Sequence, residues 1–193
     1  IYDLIIPEDG TGLTSRIGYM IKKGVNYKII QTISFSQDRV KDQKDRRVAF
    51  LSAIKISNKV NNKHLLVLNM YFTPDCSLEN IKNCCNFVSK FKYQKNVVFC
   101  GDTNIDGLKK NPKSVFYESC RPLKQLVNSA TRKASWFCKS RNKHYESSTL
   151  IDVCLTSASV MKDAKLVVDD IAINYFGKKT KKALRPLWHS PFH

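Results

Sequence analysis

Short apolar runs separated by polar turns predict that this chain is built mainly from β-strands. The segment His64–Phe72 is the clearest, because it is almost continuously apolar. The runs predict strands at Arg16–Ile21, Tyr27–Phe35, Val48–Ile56, His64–Phe72, Asn96–Cys100, Trp136–Phe137, Leu150–Thr156 and Lys165–Ile173. The turn at Lys23–Gly24 predicts that the first two strands pair as a hairpin, and the charged stretch Ser36–Arg47 predicts a loop.

Helical spacing is confined to two places. An apolar helical face follows Ser77, a residue typical of a helix N-cap. That face is formed by Leu78, Ile81, Cys85 and Val88, with Phe91 at its end. A shorter helix is expected near Ser114–Cys120, with a turn near Leu123–Leu126 after it. Many strands with few helices predict an α+β domain, and a length of 193 residues predicts that 1–193 forms a single domain.

Charge is the compositional feature that narrows the function most. The chain carries 33 Lys and Arg against 16 Asp and Glu, a formal net charge of +17, and its pI is near 9.7. Such an excess predicts a polyanionic partner, with nucleic acid favoured over an anionic membrane surface. No apolar run approaches the ~20 residues of a membrane span. The first residues also lack the basic start of a signal peptide, so neither segment is expected.

The seven cysteines lack the spacing of a zinc site or of a disulfide framework. No Cys-x-x-Cys pair occurs, and several cysteines lie inside apolar strands. Buried free thiols are therefore expected, in a reducing compartment such as the nucleus or the cytoplasm. The seven residues are Cys76, Cys84, Cys85, Cys100, Cys120, Cys138 and Cys154.

Polar side chains at strand ends carry the candidate chemistry. Asp102 and Asn104 directly follow an apolar strand, so their carboxylate and amide are expected to share one cleft. The alternative is that Asp102 only caps a turn, as Asp residues often do. Asp152 interrupts another apolar strand and needs a partner if buried, for which His189 is the candidate. Tyr71 ends its strand and is suited to bond a phosphate oxygen or to pack as an ordinary strand tyrosine. Together these residue types favour hydrolysis of a phosphodiester with a divalent cation.

Two basic clusters are candidates for holding a phosphate backbone. One precedes the Asp152 strand and the other precedes His189, so both are expected to flank the same cleft. Solvated loops are the alternative role for such clusters. The candidate DNA-binding residues are Lys139, Arg141, Lys143, Lys178, Lys179, Lys181, Lys182 and Arg185. On duplex DNA, each phosphate contact adds about 0.9 to the log–log salt slope of binding.

Five ordered segments resemble motifs of the endonuclease/exonuclease/phosphatase superfamily, and within it the apurinic-type endonuclease domain of non-LTR (LINE-like) retrotransposons. Asn69–Pro74 is similar to the N-x-Y-x-x-P strand, and Gly101–Asn104 to the G-D-F-N motif. Leu123–Arg132 resembles the L-x-Q-L-V…T-R segment of the retroelement branch. Ser148–Asp152 resembles the S-x-I-D strand, and His189–Pro191 the end of S-D-H-S-P.

The resemblance implies a four-layer α/β sandwich with two facing mixed β-sheets flanked by helices, as in DNase I. It implies Mg²⁺- or Mn²⁺-dependent nicking of duplex DNA, intact or already nicked, to leave a 3′-hydroxyl primer for a reverse transcriptase domain of the parent polyprotein. By position, Asp102 would bind the metal and activate the water, and Asn104 and Tyr71 would contact the phosphate. Asp152 would orient His189, which would stabilise the phosphorane or transfer a proton.

Two metal-site acids of this family have no clear counterpart in the chain. The family's glutamate lies upstream of the strand at Arg16–Ile21, and Glu8 is too close to that strand to correspond to it, so an N-terminally incomplete domain is expected. Trp188 stands where the family has an aspartate. These departures favour impaired catalysis. They leave open an inactive basic nucleic-acid-binding module and, less favoured by the charge, a phosphoesterase acting on small substrates.

Overall fold

The computed structural model describes residues 1–10, 15–37, 46–58, 63–107, 109–125, 136–139, 146–149 and 151–162. Ten strands lie within these ranges. They are β1 (Tyr2–Ile5), β2 (Tyr19–Lys22), β3 (Asn26–Gln37), β4 (Arg46–Ser57), β5 (His64–Phe72), β6 (Val97–Asp102), β7 (Lys124–Gln125), β8 (Trp136–Lys139), β9 (Glu146–Thr149) and β10 (Asp152–Thr156). The described helices are α1 (Leu78–Ser89), α2 (Val115–Ser119) and α3 (Ala158–Met161), and a 3₁₀ turn covers Pro112–Ser114.

A six-stranded mixed sheet forms the centre of the fold, in the spatial order β3-β4-β5-β6-β10-β7. β5 and β6 are parallel, and every other neighbouring pair in this sheet is antiparallel. The parallel pair is joined by α1, as a parallel connection requires a crossover. The carboxyl ends of β5 and β6 therefore meet at one edge of the sheet, where Tyr71 and Asp102 lie.

Helix α1 begins where its sequence predicts. The Ser77 side chain accepts a hydrogen bond from the Asn80 backbone N–H at 3.2 Å, which satisfies one of the donors at the helix start. The apolar face of α1 packs on the central sheet together with α2 to form the main core. This core includes Leu51, Leu68, Met70, Phe72, Ile81, Cys84, Phe87, Val88, Phe99 and Phe116.

The opposite face of the central sheet is covered in part by the antiparallel pair β1-β2. Tyr19 and Ile21 of β2 are buried against Ile54 of β4, with Val67 of β5 beside them. A helix layer, the central sheet and the β1-β2 sheet therefore stack in that order. The expected α+β sandwich is confirmed.

The predicted hairpin between β2 and β3 is wrong. β2 pairs with β1, and β3 pairs with β4 across the charged stretch that follows it. The physical reason is that the apolar side of β2, Tyr19 and Ile21, is buried by packing face to face on the central sheet. If β2 paired with β3, both strands would lie in one sheet, and β2 could not pack face to face on that sheet.

Other sequence predictions have mixed outcomes. The strands predicted at Val48–Ile56 and His64–Phe72 and the helix near Ser114–Cys120 are confirmed. The turn predicted near Leu123–Leu126 contains the short strand β7, which pairs with β10. The strand predicted at Lys165–Ile173 lies outside the described residues. Six cysteines have described side chains and all six are free thiols, as expected. None of the described helices has the length and apolar character needed to cross a membrane.

Candidate active site

One row of residues crosses the central sheet near the carboxyl ends of β5 and β6. The strand registers place Ser34, Phe50, Tyr71, Asp102 and Asp152 opposite one another on successive strands. Because neighbouring strands are about 4.8 Å apart, the backbones of Tyr71 and Asp152 are separated by about 10 Å, with Asp102 between them. Three of the predicted site residues are thus brought side by side by pairing alone.

Asp102 and Asp152 form a closely spaced pair. The neighbouring pair is hydrogen-bonded, since the Thr103 N–H donates to the Ile151 carbonyl at 2.8 Å. Hydrogen-bonded and non-hydrogen-bonded pairs alternate along an antiparallel ladder, so Asp102 and Asp152 are a non-hydrogen-bonded pair, whose Cα atoms are only about 4.5 Å apart. Two carboxylates placed opposite each other repel, and a cation beside them offsets that repulsion.

The turn after β6 fixes the direction of the Asp102 carboxylate. The Asn104 backbone N–H donates to Asp102 Oδ1 at 2.9 Å, which closes a turn of the kind that Asp residues favour. Asn104 itself has a positive φ of 49°, a region that asparagine tolerates better than most residues. Its side-chain Nδ2 donates to the Phe72 carbonyl at 2.7 Å. The amide is therefore anchored to the end of β5, beside Tyr71.

A buried network beneath this turn was not anticipated from the sequence. The Thr103 hydroxyl donates to the Ile151 carbonyl at 3.0 Å and lies 3.0 Å from the Tyr117 hydroxyl, which donates to the Ile105 carbonyl at 2.8 Å. Burial raises the pKa of the Tyr117 phenol, so it stays a neutral donor. Thr103 lies between the predicted site residues Asp102 and Asn104, and this position is a sequence signal for its role. The residues next to Tyr117 in the sequence give no such signal.

Replacing Tyr117 with phenylalanine should lower the free energy of unfolding by about 1–3 kcal/mol, because the Ile105 carbonyl loses its donor in a partly buried site. Urea unfolding followed by circular dichroism measures the change. The matched control is Tyr93→Phe, since Tyr93 is 75% exposed and its substitution should leave stability unchanged. Equal effects of the two substitutions would contradict a supporting role for the network.

Tyr71 is framed by an aromatic ring and a cation. Its ring centroid lies 6.4 Å from that of Phe50, and the Arg16 guanidinium lies over the ring at 5.8 Å from the centroid. Arg16 is exposed, so this contact places an accessible cation over Tyr71. The sequence around Arg16 indicates only the start of a strand, because its contact with Tyr71 depends on the stacking of β1-β2 on the central sheet.

Further lysines follow the Asp102–Asn104 turn. Lys109 lies 4.0 Å from Asp106 in an ion pair, and Lys113 donates from Nζ to the Pro74 carbonyl at 3.1 Å. Lys110 is exposed on the same loop. Positive charge therefore lies in the loop that follows the Asp102–Asn104 turn, and Lys113 reaches the Pro74 carbonyl just after the end of β5.

Several predicted site residues cannot be placed. His189 and Trp188 lie outside the described residues. Among the predicted DNA-binding residues, Lys139 ends strand β8. The others, Arg141, Lys143, Lys178, Lys179, Lys181, Lys182 and Arg185, also lie outside the described residues. Their contribution to the cleft stays a prediction.

The donor set suits a hard divalent cation. Mg²⁺ is commonly held by one or two carboxylates while it keeps several waters, and the Asp102–Asp152 pair offers two carboxylates on one face. Within the described parts of the chain, no group of three His, Cys, Asp or Glu side chains is close enough to hold a metal. Asp9 does not supply a third ligand. Its carboxylate bonds Ser34 and lies 3.6 Å from Arg47, above β3, which is about 14 Å and three strands away from Asp102.

Comparison with solved structures identifies the architecture. No protein-family model matches the sequence, and no curated protein matches it either. The chain is similar to the endonuclease domain of TRAS1, a telomere-specific non-LTR retrotransposon, with a TM-score of 0.61 and 11% identity over 88% of this chain and 73% of that one. It is also similar to two proteins of Bacteroides thetaiotaomicron. One is an endonuclease/exonuclease/phosphatase family protein, with a TM-score of 0.61 and 12% identity over 100% of this chain and 73% of that one.

The second Bacteroides thetaiotaomicron protein is a mannosyl-6-phosphatase, with a TM-score of 0.60 and 13% identity over 100% of this chain and 74% of that one. At these identities the agreement concerns the path of the backbone and not the function. The three proteins nevertheless share one architecture over most of this chain. The chain therefore has the fold of the endonuclease/exonuclease/phosphatase superfamily, as its motifs predict.

Proposed function

We propose that this chain is a metal-dependent endonuclease that nicks DNA by hydrolysing a phosphodiester. The observation that carries the proposal is the pair Asp102 and Asp152, set side by side next to Tyr71 at one edge of the sheet. Asn104 is anchored at the same edge by its bond to the Phe72 carbonyl. This set brings together a carboxylate able to activate water and an amide and a phenol able to bind phosphate oxygens, and hydrolysis of a phosphodiester needs an activated water.

Each side chain has a distinct part in this proposal. Asp102, held in one orientation by the Asn104 N–H, positions the attacking water and takes its proton. Asn104 and Tyr71 bind the phosphate oxygens. Asp152 orients His189 and stabilises its charged form, which offsets negative charge on the phosphorane or protonates the leaving oxygen. A Mg²⁺ or Mn²⁺ ion held by Asp102 would lower the pKa of water and offset negative charge.

Duplex DNA is the proposed substrate because of charge. A net charge of +17 suits a polyanion better than a small phosphoester. Arg16 over the Tyr71 ring, and Lys110 and Lys113 in the loop after the Asp102 turn, suit a phosphate backbone that passes near the carboxyl ends of β5 and β6. The predicted basic residues between 139 and 185 would extend this contact. A 3′-hydroxyl left at the nick would prime reverse transcription by a domain of the parent protein.

A second candidate is a catalytically inactive nucleic-acid-binding module. It is favoured by the absence of a third metal-site acid from the described residues and by Trp188 in place of an aspartate. A phosphoesterase acting on small substrates is a weaker candidate, supported by the similarity to a mannosyl-6-phosphatase fold and disfavoured by the charge.

A supercoiled-plasmid nicking assay separates these candidates. The wild-type chain should nick in Mg²⁺ or Mn²⁺, and EDTA should stop it. Asp102→Ala should nick no faster than the buffer, whereas the control Asp3→Ala, which removes an exposed carboxylate from β1, should nick like the wild type. Salt-sensitive DNA binding without nicking would establish the binding module. Phosphate release from small esters without nicking would establish the third candidate.

A further inference from the structure

A pair of cysteines lies directly beneath the carboxylate pair. Cys100 is opposite Cys154 in the ladder between β6 and β10, two residues along each strand from Asp102 and Asp152. Both thiols are on the same face of the sheet as those carboxylates, because side chains two residues apart in a strand share a face. No step of the proposed hydrolysis uses either sulfur.

The hydrogen-bond pattern fixes the spacing of the two cysteines. The Thr103 N–H donates to the Ile151 carbonyl at 2.8 Å at one end of this ladder, and the Ser157 N–H donates to the Val97 carbonyl at 3.0 Å at the other. Hydrogen-bonded and non-hydrogen-bonded pairs alternate along an antiparallel ladder. Counting from either of these hydrogen-bonded pairs shows that Cys100 and Cys154 are a non-hydrogen-bonded pair. The Cα atoms of such a pair are about 4.5 Å apart, within the roughly 4.4–6.8 Å found in natural disulfides.

The setting of this pair differs from that of the other described cysteines. Cys76, Cys84 and Cys120 are buried in the core on the helix side of the sheet. Cys100 and Cys154 are half-buried on the opposite face, which the candidate site shares. A small oxidant that enters the cleft therefore reaches this pair before the core thiols. The Cys100 Sγ lies 3.6 Å from the Leu68 carbonyl oxygen of β5, so the side chain rotates about χ1 to reach Cys154.

We propose that Cys100 and Cys154 are a modification site at which hydrogen peroxide forms a reversible cross-strand disulfide. One sulfur attacks a peroxide oxygen, the O–O bond breaks, and a sulfenic acid and a water are produced. The second sulfur then attacks the sulfenic sulfur, the S–O bond breaks, and a second water leaves. Two thiols lose two electrons and two protons, and one peroxide becomes two waters.

The disulfide would join β6 to β10 immediately below the carboxylates. A disulfide draws its two Cβ atoms to about 3.8 Å, closer than the roughly 4.5–5.5 Å of an unlinked cross-strand pair. The spacing of Asp102 and Asp152 should change with it, so oxidation is expected to alter the properties of the carboxylate site and reduction to restore them. The disulfide itself does not depend on whether the chain cuts DNA.

Peptide mapping of the whole chain tests the proposal without an activity assay. The protein is incubated for hours with hydrogen peroxide, because burial raises the pKa of both thiols and slows their oxidation. It is then alkylated and digested with trypsin without reduction. The expected product joins peptide 96–109, which contains Cys100, to peptide 144–162, which contains Cys154, and dithiothreitol should separate them.

Two serine variants complete the test. Cys154→Ser should remove the linked peptide and leave Cys100 as a sulfenic acid or a free thiol. Cys85→Ser, which removes a half-buried thiol from α1, should keep the linked peptide. The proposal is overturned if the oxidised wild-type chain yields no 96–109 to 144–162 link, or if its disulfides join other cysteines instead. The wild-type map alone decides the matter should Cys154→Ser fold poorly.

Discussion

Gly101→Ala should lower the free energy of unfolding by about 4 kcal/mol, the sum of backbone strain and overpacking. Gly101 has a φ of 144°, which side-chain-bearing residues rarely adopt. A Cβ on this residue would lie 1.9 Å from the Met70 carbonyl oxygen and 2.8 Å from its carbonyl carbon. Both atoms belong to the backbone of β5, so the clash is relieved only by separating β5 from β6.

Gly24→Ala is the matched control for that substitution. Gly24 also has a positive φ, of 85°, but no atom lies within 4 Å of the position that a Cβ would take, so only strain of about 1 kcal/mol is expected. Urea unfolding of the two variants measures the difference, which should be about 3 kcal/mol. Similar losses for both would mean that the close approach of β5 and β6 at Gly101 is not required. A large loss confined to Gly101→Ala would explain why glycine precedes the candidate catalytic aspartate.

Local signals in the sequence predicted the central elements well. His64–Phe72 matches β5 because its apolar residues occupy a strand buried on the helix side, and α1 follows Ser77 because the hydroxyl caps the helix start. Asp102 and Asn104 were found because a strand ending in glycine, acid and amide is a local pattern. Such features depend on residues that are close in the sequence, so the sequence alone is enough to recognise them.

Features that depend on distant segments were missed. Nothing near β2 indicates that its partner is β1, because the choice is made by burial of Tyr19 and Ile21 on the central sheet. Arg16 meets Tyr71 only through that stacking, and Tyr117 reaches the Asp102 turn only through the packing of α2. The facing of Asp102 and Asp152 likewise follows from strand register. A pattern search along one chain contains no information on register between strands separated by about 50 residues.

The facing carboxylates predict opposite effects on activity and on stability. Asp102→Asn should reduce metal-dependent nicking by about 10³-fold, because the amide cannot take a proton from water. The same substitution should raise the free energy of unfolding in EDTA by about 0.2–1 kcal/mol, because it removes repulsion from Asp152. Asparagine keeps an Oδ1 that accepts the Asn104 N–H, so the turn after β6 is preserved.

Metal titration distinguishes repulsion from a simple loss of contact. Adding Mg²⁺ or Mn²⁺ should raise the melting temperature of the wild-type chain, because a cation that binds the folded state stabilises it. Asp102→Asn should lose most of that response. Asp152→Asn is the matched variant, and it should gain less stability in EDTA, because it removes the same repulsion together with the proposed favourable contact with His189. If Asp102→Asn were less stable than the wild type in EDTA, the Asp102 carboxylate would be held by attractive contacts and would not require a cation beside it. If the wild type also showed no response to either metal, the metal-dependent mechanism would have to be abandoned.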